Sequence, residues 1–60
     1  MLGFEDLYEL CAKLSHSQGF YGRLLADLQE LNEEEIAELD ERIKSQKLET
    51  ELDLIYWLEC

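Results

Sequence analysis

Along the first fourteen positions, apolar residues fall three and four apart: Phe4, Leu7, Tyr8, Leu10, Cys11 and Leu14. That period puts them on one face of a helix and predicts one from about Phe4 to Leu14. Glu5 and Asp6 stand in its first turn, where the helix dipole favours anions, and Lys13 stands near its end, where a cation is favoured. Ser15-His16-Ser17-Gln18-Gly19 then breaks the pattern. Ser15 or Ser17 is expected to cap the next helix by accepting a bond from a free backbone N–H. That helix carries Phe20, Tyr21, Leu24, Leu25, Leu28 and Leu31.

Two readings compete for the middle of the chain. Asn32 followed by Glu35 resembles a capping box, with Leu31 and Ile36 as the hydrophobic staple around it. This reading breaks the chain at Asn32 and starts a third helix whose inner face is Ile36, Leu39 and Ile43. In the other reading one helix runs from about Phe20 to Lys44, because Leu25, Leu28, Ile36, Leu39 and Ile43 share a stripe at 100° per residue. Asn32 would then set register inside an interface, as a core Asn does in coiled coils. The break is the preferred reading.

Ser45 to Glu49 is expected to be a connector. Thr50 followed by Asp53 is a further N-cap signal and opens a last helix from Glu51 to about Leu58. This helix holds the run Leu54-Ile55-Tyr56-Trp57-Leu58, more apolar side chains than one face can take. Leu52, Ile55 and Tyr56 are expected to face inward, and Leu54, Trp57 and Leu58 to point elsewhere.

Nothing alternates with period 2, proline is absent, and the three glycines, Gly3, Gly19 and Gly22, all precede position 23. Ile36, Ile43, Thr50 and Ile55 are the only β-branched residues, while Leu, Glu, Ala, Lys and Gln, all good helix formers, dominate. The expected fold is all-α: one small domain spanning 1–60, a compact bundle of three to four short helices. A chain of this size buries only about 60% of the surface its unfolded form exposes, so dimerisation is one way of completing the core. Hydrophobic residues at 47% and charged residues at 33% point to a folded chain with a heavily charged outside, not to disorder.

Charge changes the picture most. Fifteen acids face five bases, for a formal net charge of −10. Such a surface repels nucleic acid and anionic membrane, attracts basic partners and speeds their association. The charge is uneven: residues 1–26 sum to −1, from three acids and two bases, and residues 27–60 sum to −9, from twelve acids and three bases. No basic n-region or apolar h-region opens the chain, and no run approaches the roughly 18 apolar residues of a membrane span. The expected location is the cytoplasm. Cys11 and Cys60 do not make a disulfide framework or a zinc pattern. Cys11 reads as a small core hydrophobe and Cys60 as an incidental thiol. No cofactor or metal is expected. His16, the only histidine, stands in a polar loop with no nucleophile–base spacing around it. A ligand pocket of roughly 300–1,000 Å³ would consume so small a core, so enzymatic activity is not expected.

Four features carry candidate function. The first is the acidic run. Asp27, Glu30, Glu33, Glu34, Glu35, Glu38, Asp40 and Glu41 lie within fifteen residues that contain no base. Asp27, Glu30, Glu34, Glu38 and Glu41 line up at helical spacing, and such a row destabilises a helix through like-charge repulsion. It reads either as a solvated face that keeps the protein soluble or as a binding face that imitates the phosphates of DNA. The second feature is aromatic: Trp57, in the overfilled run, and Tyr21 are partner anchors if exposed, and Trp57 reads first as a core residue, next as a self-association contact and last as an anchor for a foreign partner. The third is Gly19-Phe20-Tyr21-Gly22, whose GxxG pair is too aromatic for a nucleic-acid clamp. There Gly22 is expected to let another helix approach, and Gly19 to ease the turn. The fourth is Arg23, expected to pair with a carboxylate such as Asp27 or to stack on a ring.

Two segments carry a resemblance: Ser17-Gln18-Gly19-Phe20-Tyr21-Gly22-Arg23-Leu24-Leu25, and the ending Asp53-Leu54-Ile55-Tyr56-Trp57-Leu58-Glu59. With the acidic middle, they resemble small acidic proteins of bacteriophages and mobile elements of Gram-positive bacteria. The resemblance implies a bacterial host cell and a protein that binds and diverts a host factor; it transfers no functional residue. The expectation is therefore a non-enzymatic accessory protein. It would engage a basic surface of a host protein through Asp27, Glu30, Glu34, Glu38 and Glu41, with Tyr21 and Trp57 as anchors. The alternatives are a homo-oligomeric assembly protein whose acids only solubilise it, and a direct DNA binder, which the acidic balance opposes.

Overall fold

Four helices form in the computed structural model, which describes residues 1–59: α1 (Phe4–Leu14), α2 (Gly19–Gln29), α3 (Glu33–Ser45) and α4 (Glu51–Glu59). Cys60 lies outside the described residues. The fold is the all-α bundle expected from the pattern, and α1 has the bounds its apolar period predicts.

The two capping boxes form as read. At α3, the Glu35 amide donates to Asn32 Oδ1 at 2.8 Å, and the Asn32 amide reaches Glu35 Oε1 at 3.5 Å. This ends the single-helix alternative: the backbone at Asn32 is extended, with φ −85° and ψ 176°. At α4, the Asp53 amide donates to Thr50 Oγ1, and Asp53 Oδ2 accepts from the amides of Glu49 and Thr50, all at 3.2 Å. Each box satisfies N–H groups that the first turn leaves unpaired.

The first connector behaves otherwise. Ser15 Oγ donates to the Ala12 carbonyl and Ser17 Oγ to the Leu14 carbonyl. Both serines therefore close α1 and neither opens α2, whose N-cap is Gln18 with no side-chain bond. A hydroxyl serves as donor or acceptor equally well, so the spacing of a serine between two helices does not say which it will serve.

α1 is the hub. It packs against each of the other three helices, and those three touch one another little among the described residues. Leu7, Leu10 and Cys11, at spacings of three and four, are buried together with Tyr21, Leu28, Ile43, Leu48 and Leu54. Full burial of a leucine is worth about 1.5–3 kcal/mol, so this seam supplies much of the stability. The radius of gyration is 10.9 Å, close to the ~10.4 Å that the length predicts for a compact domain.

α4 is rotated from its expected orientation: of the three residues expected inward only Ile55 packs on the core, while Leu54, Trp57 and Leu58, expected elsewhere, all do. Leu54 is fully buried, Ile55, Trp57 and Leu58 are half-buried, and Leu52 and Tyr56 are 59% and 62% exposed. A helix apolar on most sides has no unique inner face, and here its docking on α1 chose Leu54.

The close-approach glycine is Gly3, not Gly22. A Cβ at Gly3 would stand 2.6 Å from Asp40 Oδ1, while at Gly22 it would find only the Ser15 carbonyl oxygen, at 3.9 Å, and at Gly19 open space. Gly3 is the N-cap of α1 and has no side chain to cap with. Its amide donates to Asp6 Oδ2 at 2.9 Å. The next free N–H, of Phe4, is capped from another helix, by Asp40 Oδ1 at 2.8 Å. Gly3 is the room that lets this carboxylate in.

Candidate functional site

The acidic run divides by direction. Asp27 lies in α2, Glu30 is the C-cap of α2, and Glu34, Glu38 and Glu41 lie in α3. All five are exposed. The turn at Leu31 and Asn32 splits the expected single row into two short ones on different helices, so its regular spacing does not persist across the break. Within α3 the geometry is clean. At 3.6 residues per turn, Glu34, Glu38 and Glu41 lie within about 40° of the direction opposite the buried Ile43.

These carboxylates stay electrostatically open. The ion pairs among the described residues are Lys44–Asp40 at 2.8 Å and Lys13–Glu51 at 3.6 Å, and neither involves the five acids. The expected Arg23–Asp27 pair does not form. Arg42 shares a shallow depression with Glu38, Glu41 and Ser45 without closing a salt bridge.

Two other acids of the run are taken up by the fold. Glu35 completes the α3 cap. Asp40 faces α1, with its side chain 31% exposed, and binds both the Phe4 amide and Lys44 Nζ. The hydrogen bond from Lys44, then the Phe4 N–H, hold its carboxyl below the ordinary aspartate value, and Asp40 in turn raises the Lys44 ammonium. Like-signed residues in one run thus have opposite roles, and the direction each faces decides which.

The aromatic expectations divide as well. Tyr21 is 4% exposed and belongs to the core, so it is not an available anchor. Burial, and next the charge of Glu59, push its hydroxyl up. Its neighbour Phe20, stacked edge-on at 5.3 Å, is 55% exposed instead. Trp57 is half-buried against the core and lines a cleft of about 380 Å³ with Leu48, Asp53 and Tyr56. A second cleft of about 380 Å³ lies on the other side of α4, between Phe20, Tyr21, Leu58 and Glu59. The exposed residues that the pattern missed are therefore Leu52, Tyr56 and Phe20. The overfilled apolar run is the signal for surplus apolar surface, and its spacing does not say which face stays outside.

Cys11 is fully buried and free, and burial raises its thiol, which keeps it from forming a reactive thiolate. His16 is exposed in the α1–α2 connector. Among the described residues no group of three His, Cys, Asp or Glu side chains is placed to hold a metal, and no helix is long and apolar enough to cross a membrane. No known protein family, curated protein or solved structure matches the chain.

Proposed function

We propose that this protein is a non-enzymatic binding module, of the accessory type carried by bacteriophages, that engages a basic surface of a host protein. The observation that supports the reading is the outer face of α3. Glu34, Glu38 and Glu41 are exposed, unpaired among the described residues, and separate from the acids that the fold uses. A helix that keeps like charges at these spacings gives up a few tenths of a kcal/mol per pair, and a basic partner would recover it. Asp27 and Glu30 extend the negative field from α2.

The spacing favours electrostatic steering over close imitation of DNA. Three charges from Glu34 to Glu41 span about 10 Å of helix, against one charge per ~1.7 Å of duplex. The face fits a basic patch that needs a negative partner without needing a phosphate lattice.

The test is affinity for a purified basic host target in a salt series. Binding should weaken steeply as salt rises, and a Glu34→Lys, Glu38→Lys, Glu41→Lys variant should lose it. Affinity indifferent to salt would remove the reading.

The exposed Leu52 and Tyr56 favour a second reading, a homo-oligomeric assembly protein. Light scattering over a concentration series separates the two. A mass near 7.1 kDa throughout supports the binding module, and about twice that supports the assembly protein.

A further inference from the structure

α4 is apolar on nearly every side, yet only one side is covered. A helix of that composition is normally buried all round. Its inner side is Leu54, and Leu52 and Tyr56, one turn apart, stand on the outer side at 59% and 62% exposure. Tyr56 continues into the cleft with Trp57 and Asp53, and Glu59 marks the cleft on the opposite flank. The surface is thus an apolar strip with aromatic walls and a carboxylate on each side.

We propose that this outer face docks a cationic amphipathic helix of a partner protein. The partner's apolar stripe would lie on Leu52 and Tyr56, and its Lys or Arg side chains would reach Glu59 and the Asp53 carboxylate oxygen that the α4 cap leaves free. Charge selects this occupant. Around α4, Glu49, Glu51, Asp53 and Glu59 stand against Lys47, which lines the Asp53 cleft, and Lys13, which pairs with Glu51; the excess is negative, and a lysine-flanked helix complements it. The aromatic walls suit the same side chains, because a cation is attracted to the face of Trp or Tyr.

A second copy of this chain fits less well. It would set these carboxylates against themselves and bring together two chains of net charge −10. The inference shares with the proposed function only the basic character of the partner, and it assigns a different face.

The probe is a synthetic helical peptide of about 18 residues with a leucine stripe flanked by lysines. Its controls are a scrambled peptide of the same composition and one with glutamates replacing the lysines. Binding to the full chain is followed by Trp57 fluorescence and calorimetry. The lysine-flanked peptide should bind at least about tenfold more tightly than either control. A Leu52→Ser, Tyr56→Ser variant should lose that margin, while Glu34→Gln, Glu38→Gln, Glu41→Gln should retain it.

Equal binding of the scrambled peptide overturns the proposal, and this arm uses the unaltered protein, so it stands even if a variant melts early. Loss of binding in the α3 variant alone also overturns it, and leaves the α3 reading in place. A dimer of about twice 7.1 kDa that Leu52→Ser dissolves overturns it in favour of a second copy. If the peptide result holds while host-target binding ignores salt, this surface survives and the α3 reading fails.

Discussion

α1 and α4 are both short, both rich in apolar residues and both packed into one core, yet they differ in what their patterns encode. In α1 the polar positions Glu5, Asp6, Glu9 and Lys13 are exposed and fall on one side, and Leu7, Leu10 and Cys11 fall on the other. Only one rotation buries the apolar side and leaves the charges in water. In α4 the apolar residues surround the axis, so several rotations bury a similar area. A one-sided helix specifies both that it is buried and which way it faces. An overfilled helix specifies only the first, and a surplus apolar side is left exposed.

The sharpest way to break this contrast is to truncate the two leucines of α4. Leu54→Ala should destabilise by about 3 kcal/mol, a large part of the roughly 3–9 kcal/mol expected for a chain of 60 residues. Leu52→Ala should stay within about 0.5 kcal/mol. Urea denaturation of both variants measures this, and a reversed order would mean that α4 docks through its other face.

The orientation of α1 rests also on its junction with α3, and the next largest effect is expected there. Gly3→Ala pushes a methyl group to within 2.6 Å of Asp40 Oδ1. It should lower the melting temperature by about 5 °C, the consequence of losing a helix cap in so small a domain. Asp40→Ala should do the same, and the double variant should be little worse than either single one. Additive losses would show that the two residues act separately.

pH probes the same contact with a definite sign. The folded-state pKa of Asp40 lies below its ordinary value of 3.8. Its stabilising contribution is therefore complete above that value and is lost as pH falls through the lower, folded-state one. The gap in melting temperature between the native chain and Asp40→Asn should hold steady from pH 7 to about 5 and narrow below pH 4. A gap that widens on acidification would mean that the Lys44 and Phe4 contacts do not govern this carboxylate.

The smallest effect is expected where α3 leads into the approach to α4. Lys47 is in the left-handed region, at φ 55°, which costs a residue with a Cβ roughly 1 kcal/mol. It follows the C-cap Gln46, and its amide donates to the Lys44 carbonyl at 3.2 Å. Glycine is the usual occupant of this position after a helix. Set against glycine's greater loss of backbone freedom, Lys47→Gly should gain about 0.5 kcal/mol and raise the melting temperature by about 2–4 °C. No change would show that the turn is not held in this conformation in solution.

Legibility in the sequence followed the range of the interactions. The two capping boxes were readable because each is complete within four residues, Asn32 to Glu35 and Thr50 to Asp53. The serines after α1 are ambiguous in sequence because a hydroxyl offers both a donor and an acceptor, and the choice depends on which carbonyls remain free. In the acidic run, exposure of Asp27, Glu30, Glu34, Glu38 and Glu41 was legible from composition. The split at Leu31 and Asn32 is legible from the cap, and it divides the row of charges between α2 and α3. Asp40 could not be separated from its neighbours, since its partner Phe4 lies thirty-six positions away. Tyr21 and Phe20 are adjacent and chemically alike, so burying one and exposing the other was a matter of the rotation of α2 on α1.

By itself, then, the sequence determined that this protein is helical, the extent of α1, the starts of α3 and α4, how α1 faces, and that its surface is strongly negative. Each of these depends on residues within a turn or two of one another, or on a sum over the chain. The tertiary structure alone decided the direction of α4, the burial of Tyr21, and the recruitment of one aspartate from an acidic face to cap another helix. Those outcomes depend on which surfaces meet when four short helices share one core, and pairing between distant residues is not written in local spacing.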